Sequence, residues 1–229
     1  MKKTMKAVAA LMLMTAVVFA AGFKKDNSGI MDGHEYVDLG LPSGNLWATC
    51  NLGSYTPEGY GFYFAWGETQ PKDYYDWNTY KHCHGAANML TKYCSDSTWG
   101  YNGYTDNLHF LESDDDAAAY HLGDGWRMPK HEDWVELYHN TTWFFSSQNG
   151  VNGLLFTASN GNSIFLPAAG TKGSELDETY GQNLYWMNWI DGNDQSQAFA
   201  TLFDSYNWWP TVGHFRCVGC PIRPVRSAK

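Results

Sequence analysis

Three short motifs carry residue types that do chemistry elsewhere, and each lacks the surroundings that chemistry needs. His82-Cys83-His84 presents imidazole and thiol donors of the kind that hold zinc. A metal would need a second pair of ligands, and the chain contains neither an HExxH run nor two CxxC units, so this stretch reads as a surface loop. Cys217-Val218-Gly219-Cys220 is a lone CxxC. A thioredoxin-like redox role requires such a pair at the start of a helix in a βαβ setting, which the flanking residues do not supply. On a straight strand, positions i and i+3 point to opposite faces, so a 217–220 bridge requires a turn at Val218-Gly219. The five cysteines, an odd number, leave at least one thiol outside any pairing within the chain. Most of them read as partly buried small hydrophobes. Asp114-Asp115-Asp116 offers oxygen ligands for calcium, but no EF-hand spacing follows, and three acids suit the positive end of a helix dipole. Spacing singles out no carboxylate pair for glycoside hydrolysis. No catalytic residue, metal ligand or cofactor is assigned.

Aromatic residues make the stronger signal. The chain has 11 Trp among its 229 residues, and 17% of it is Phe, Trp or Tyr. The segment 184–220 holds Trp186, Trp189, Tyr206, Trp208 and Trp209. In a strand the faces alternate, so Trp186, Asn188 and Ile190 share one face and Met187 and Trp189 the other. Both faces cannot be solvated, so one aromatic set belongs to the core. Trp208-Trp209-Pro210 follows the turn-like Asp204-Ser205 and reads as a loop. A tryptophan pair there presents a large contact area on few rotatable bonds.

The elements around these residues read as α+β. Strands are expected over 35–41, 45–53, 61–68, 153–159, 163–170, 184–190, 198–204 and 221–225. Asn160-Gly161-Asn162 marks a hairpin, and Pro221 and Pro224 mark the last piece as an edge or terminal strand. Helices are expected over 113–122 and over 130–140, where Trp134, Leu137 and Tyr138 fall on one face. The stretch 81–112 has no period and reads as long ordered loops.

The N-terminus reads as an export signal over 1–22, with a basic MKKTMK start and an apolar run too short to span a membrane comfortably. FAAGFKKDN is similar to a lipoprotein cleavage box with Phe23 in place of the acylated cysteine. Residues 23–33 are polar and aperiodic and read as a tether, leaving 34–229 as one domain. Net charge is −9. Lys2, Lys3 and Lys6 are the charged residues of 1–22, so 12 basic and 24 acidic residues remain after cleavage, or −12. That balance, without a basic cluster, argues against nucleic acid and anionic membrane surfaces as partners. The location implied is the periplasm, the cell surface or the medium.

Several runs together resemble one family: HEYVDLGLPSGNLWATCNLG (34–53), YFAWGET (63–69), LTKYC (90–94), DDAAAYHLGDGWRMPKHEDWVEL (115–137), NGNSIFLPAAG (160–170), LYW (184–186) and IRPV (222–225). In this order they resemble the Fibrobacter succinogenes major paralogous domain of exported bacteroidetes proteins. The resemblance implies a C-type-lectin-like domain of short antiparallel strands, two helices and long ordered loops. GWRMPKHEDW (125–134) is also similar to a run in formylglycine-generating enzymes, which share that fold. Their copper chemistry uses a cysteine pair, and Cys217 and Cys220 have the wrong spacing for it. Trp126, Met128 and Trp134 suit packing beneath a helix, and Arg127 suits bonding to loop carbonyls.

Members of this fold include surface ligand-binding proteins, tip adhesins and display proteins whose late segment carries exposed, varied residues. Met187, Asn188 and Trp189 stand where relatives usually carry small hydroxyl residues. The expected role is therefore binding or adhesion outside the cytoplasm, with ligand contact through Met187, Asn188, Trp189, Tyr206, Trp208, Trp209 and His214. The expected partner is a glycan or a protein; a pilus-tip or surface-assembly subunit is the structural alternative.

Overall fold

The computed structural model describes residues 28–123, 125–173 and 182–227. The export signal and the first part of the expected tether lie outside them. The described chain consists mostly of antiparallel strands in three sheets, with two α-helices, which makes it α+β.

The first sheet joins the two ends of the described chain. β1 (Gly29–Met31) and β2 (His34–Val37) form a hairpin. Its two turn residues, Asp32 and Gly33, both hold positive φ, the conformation a two-residue turn between twisted strands needs. The end of the expected tether is therefore a strand, specified by an Asp-Gly pair. β2 pairs with β3 (Leu46–Ala48), β3 with β11 (Val225–Arg226), and β11 with β4 (Trp126–Arg127). The last strand is thus central, contrary to the edge position its prolines suggest. Both prolines precede the paired residues, and the Pro224 carbonyl accepts from the Ala48 N–H at 2.9 Å. Asp32 forms an ion pair with Arg226, whose guanidinium lies over Trp126.

α1 (Ala117–Leu122) is shorter than the periodicity predicts. A 3-10 turn at 113–115 precedes it, and Asp116 then caps it, accepting from the N–H groups of Ala118, Ala119 and Met128. α2 (His131–Asn140) buries Trp134 and Leu137. Arg127 meets the Asp133 carboxylate through both terminal nitrogens and also donates to a loop carbonyl, that of Met128, at 3.2 Å; Asp133 in turn accepts from the Lys130 N–H.

β5 (Thr141–Gln148), β6 (Val151–Ala158) and β7 (Ser163–Pro167) form one three-stranded sheet; β8 (Asn183–Ile190), β9 (Gln197–Phe203) and β10 (Trp208–Phe215) form the other. β8 divides two cores. Leu184, Trp186 and Ile190 enter one with Trp66, Tyr93, Met128 and Ile222. Tyr185 and Met187 enter the other with Trp47, Trp134, Leu154, Phe156 and Trp208. Both faces of β8 are buried, which a continuous apolar run allows.

The run 61–68 is a strand by composition but carries a single bridge, Phe64 to Cys220. It is apolar because Phe64, Ala65 and Trp66 fill the first core as a loop. The stretch 81–112 has no paired strand, only isolated bridges and a 3-10 turn at Tyr101–Gly103.

Candidate functional site

A bulge in β8 builds the most developed surface feature. β8 follows β9 from Asn183 opposite Phe203 to Trp186 opposite Ala200, and the register resumes only at Ile190 opposite Ala198. The surplus residues turn their backbone to other elements. The Asn188 N–H donates to the Pro129 carbonyl, Leu111 N–H to the Asn188 carbonyl, and Ile190 N–H to the His109 carbonyl. A bulge of this kind re-aims a side chain, and the one re-aimed here is Trp189.

Trp189 sits within an aromatic group drawn from four elements. Phe110 stacks on it, with ring centroids 6.0 Å apart and planes 26° apart. Phe199 of β9 meets it at 4.8 Å, and His131 of α2 edge-on at 6.1 Å. His131 is fixed by a 2.8 Å hydrogen bond between its Nδ1 and the Thr211 hydroxyl. Phe110 is 56% exposed. Beside this group lies Gly213, opposite Phe199 in the ladder. A Cβ there would collide with the Gln197 side-chain oxygen and come within 3.3 Å of an Asp191 carboxylate oxygen. The missing side chain leaves room for the Gln197 amide and the Asp191 carboxylate at this point of the ladder. The result is a rigid aromatic surface with a polar margin.

The expected contact residues divide sharply. Met187 is fully buried in the second core, and its carbonyl accepts from the Trp66 indole N–H at 2.7 Å. Trp208 is buried against Tyr138, Trp143 and Phe156, with its indole N–H bonded to the Thr201 hydroxyl. It is a strand residue of β10, not a loop residue, so its side chain is committed to the core. Asn188 is also buried, and its backbone holds the bulge. The structure places these three side chains in the interior, where ligand contact was expected of them. Trp189 is half-buried, with one side against the first core. Tyr206 is 87% exposed at the β9–β10 turn, where Asp204 accepts the N–H groups of Tyr206 and Asn207. Trp209, 42% exposed, pairs opposite Leu202. Leu202 belongs to the first-core face, so Trp209 and Phe199 project to opposite sides of the sheet. His214 is half-buried near Trp186. Tyr206, Trp209 and His214 therefore do not converge with Trp189. Phe110, His131 and Phe199 do, and sequence reasoning missed all three. Phe110 lies in an aperiodic stretch and is brought in only by the β8 bulge.

The other motifs are dispersed or committed. His82 is buried, with its Nε2 2.8 Å from the Gly67 carbonyl, and burial lowers its pKa to about 4. The Cys83 thiol donates to the Trp77 carbonyl, and His84 packs on Tyr101. Burial pushes the Asp115 carboxyl up, but hydrogen bonds from Lys81, Lys92 and Tyr93 outweigh it and hold the group down at about 2. Asp115 is thus saturated by cations, and Asp116 is a helix cap. All five cysteines are thiols, and Cys217 and Cys220 are buried.

A half-open cavity of about 450 Å³ lies beside β2 and β3, lined in part by His34, Glu35, Cys50, Phe62 and His121. Its polar groups do not converge: Glu35 accepts from Thr49, and the His121 Nε2 is 2.7 Å from the Thr69 carbonyl. Among the described residues no helix is long and apolar enough to cross a membrane. Compared with known proteins, the chain matches no family model, no curated protein and no solved structure.

Proposed function

We propose that this chain is an exported, non-enzymatic binding domain that contacts a glycan through the surface formed by Phe110, Trp189 and Phe199. The single observation that carries the reading is the half-exposed Phe110 stacked on Trp189, both held by backbone pairing. A pyranose has an apolar C–H face and a hydroxyl edge. The stacked rings complement the face, and Asp191, Gln197 and Thr211 supply acceptors and donors at the margin. The rings cost little ordering entropy on binding, because the bulge already fixes them.

The scaffold we propose for this surface is C-type-lectin-like, in line with the family resemblance. Support comes from the pairing of β3 with β11, which closes the domain on itself, and from the long loops between β3 and α1. Export is supported by the basic start and apolar run of 1–22. Mass spectrometry of the mature N-terminus tests it, and a retained Met1 on the exported protein would refute cleavage.

The binding reading is tested by a glycan array followed by calorimetric titration of the oligosaccharides retained. Trp189→Ala and Phe110→Ala are each expected to weaken binding by roughly 2 kcal/mol, with unchanged circular dichroism. Binding that survives both substitutions would refute the assigned surface. A protein captured through this surface, with no glycan retained, would replace the ligand class.

A further inference from the structure

The sheets leave several edges, and all but one are closed by devices that prevent strand addition. β1 and β4 have three and two residues. β7 carries Pro167, and its carbonyls at Phe165 and Pro167 accept from Arg223 and Tyr185. β8 is covered through Pro129, Pro221 and the Trp66 indole. β10 contains Pro210 and a bulge between Trp209 and Val212. β5 has none of these. It runs eight residues, Thr-Thr-Trp-Phe-Phe-Ser-Ser-Gln, paired with β6 in unbroken register over its whole length. It contains no proline, no glycine and no charge, in a chain of net charge −9. Among the described residues, no strand lies on its far side.

What such an edge accepts is a strand, and the sequence of β5 says which one. Read from Phe144 outward, its chemistry is the same in both directions: Trp143 matches Phe145, Thr142 matches Ser146, and Thr141 matches Ser147. That near-palindrome is what antiparallel pairing of a strand with its own copy requires, since a two-fold interface sets each residue against its mirror position. A two-fold axis through Phe144 also preserves the faces, because paired residues are then an even number apart. On the outer face Phe144, 52% exposed, meets Phe144 of the second copy, and the hydroxyls of Thr142 and Ser146 face each other. Aromatic–aromatic and hydroxyl–hydroxyl cross-strand pairs are favourable, and no like charges oppose.

We infer that β5 is the seam of a homodimer in which two β5–β6–β7 sheets join into one antiparallel sheet. This inference is independent of the glycan reading, because β5 lies outside the aromatic group around Trp189. One paired strand buries less than the ~800 Å² per partner of a standard interface, so the dimer is weak, with Kd on the order of 10–100 μM.

Sedimentation equilibrium of the exported form of the chain, purified under reducing conditions across that concentration range, is expected to show a monomer–dimer equilibrium. Phe144→Lys sets two ammonium groups against each other at the axis and should raise Kd at least about tenfold with unchanged melting temperature. Phe144→Cys provides a second readout that needs no loss of association. On mild oxidation this variant should form a disulfide between the two copies at position 144, seen by mass spectrometry as a linked pair of identical peptides, since directly opposed Cβ atoms lie about 5 Å apart. A chain that stays monomeric throughout, a dimer that Phe144→Lys leaves intact, or a Phe144→Cys dimer that forms no such cross-link would each overturn the inference. A monomer whose β5 amides are protected only by another protein's extended segment would do the same.

Discussion

The two cores solve the same problem by different means. Around the second core, β5–β7 and β8–β10 satisfy their backbone groups in ladders, and side chains are left to pack. Around the first core the chain from 49 to 116 crosses as loops, and side chains must do what a ladder would. Arg216 is fully buried, and among the described residues no carboxylate pairs with it. It donates to the carbonyls of Lys92, Tyr93 and Gln195 and to the Tyr80 hydroxyl, and it stacks on Trp66 and Tyr80. Tyr80 in turn donates to the Trp66 carbonyl. Tyr93 holds a left-handed φ of 55°, and Asp106 accepts the N–H groups of Tyr93 and Cys94. Buried loop carbonyls need partners as strictly as strand carbonyls do. A loop-built core therefore concentrates its stability in a few polar side chains, whereas a strand-built core spreads it over many apolar ones.

That contrast fixes an order of sensitivities. The largest effect is expected at Arg216→Met, which leaves two buried carbonyls, a part-buried one and a phenol without their donor. A loss of about 4 kcal/mol or more in urea unfolding is expected, with Arg216→Lys recovering little, since one ammonium cannot span the fork. A loss below about 1 kcal/mol would break the comparison. Next comes the strand-built side. Trp208→Ala removes a ring from a well-packed group and should cost about 3–4 kcal/mol, limited by how far Tyr138, Trp143 and Phe156 collapse.

Third is a pH dependence from two buried groups on the loop side. His82 titrates near 6.5 when unfolded and near 4 when buried. Between those values the unfolded chain holds a proton that the folded chain lacks, so stability falls as pH drops through this window, by about 3 kcal/mol in all. Asp115 adds a second loss below it: its contribution is complete above 3.8 and disappears as pH falls through about 2. His82→Gln keeps a donor for the Gly67 carbonyl and should flatten the stability profile between pH 6.5 and 4. An unchanged profile would assign the acid loss to other groups. The smallest effect is expected at Trp209→Ala, under about 1 kcal/mol, since that ring is half in solvent although its neighbour Trp208 is not.

The same contrast explains what the sequence revealed. Periodicity and turn residues located β6, β7, β8, β9 and α2 to within a few positions, because the strand-built half obeys the rules those signals encode. β5 escaped notice because three consecutive aromatics mask its alternation, and β10 because Pro210 and a bulge interrupt it. At the candidate site only Trp189 was legible. Met187 and Trp208 have the composition of contact residues, but which face a strand residue takes depends on what covers it. Phe110 joins the site by bridging to Trp189, far along the chain, a relation no local pattern carries.

The place of β11 in the first sheet also bears on timing. The strand that joins β3 to β4 follows every other described strand in the chain, so that sheet cannot close until all of them have been made. A long-range pairing of this kind closes late, because the entropy of bringing its distant segments together is paid before its contacts form. A version permuted to place 225–226 ahead of β3 would be expected to refold faster, as read by stopped-flow fluorescence.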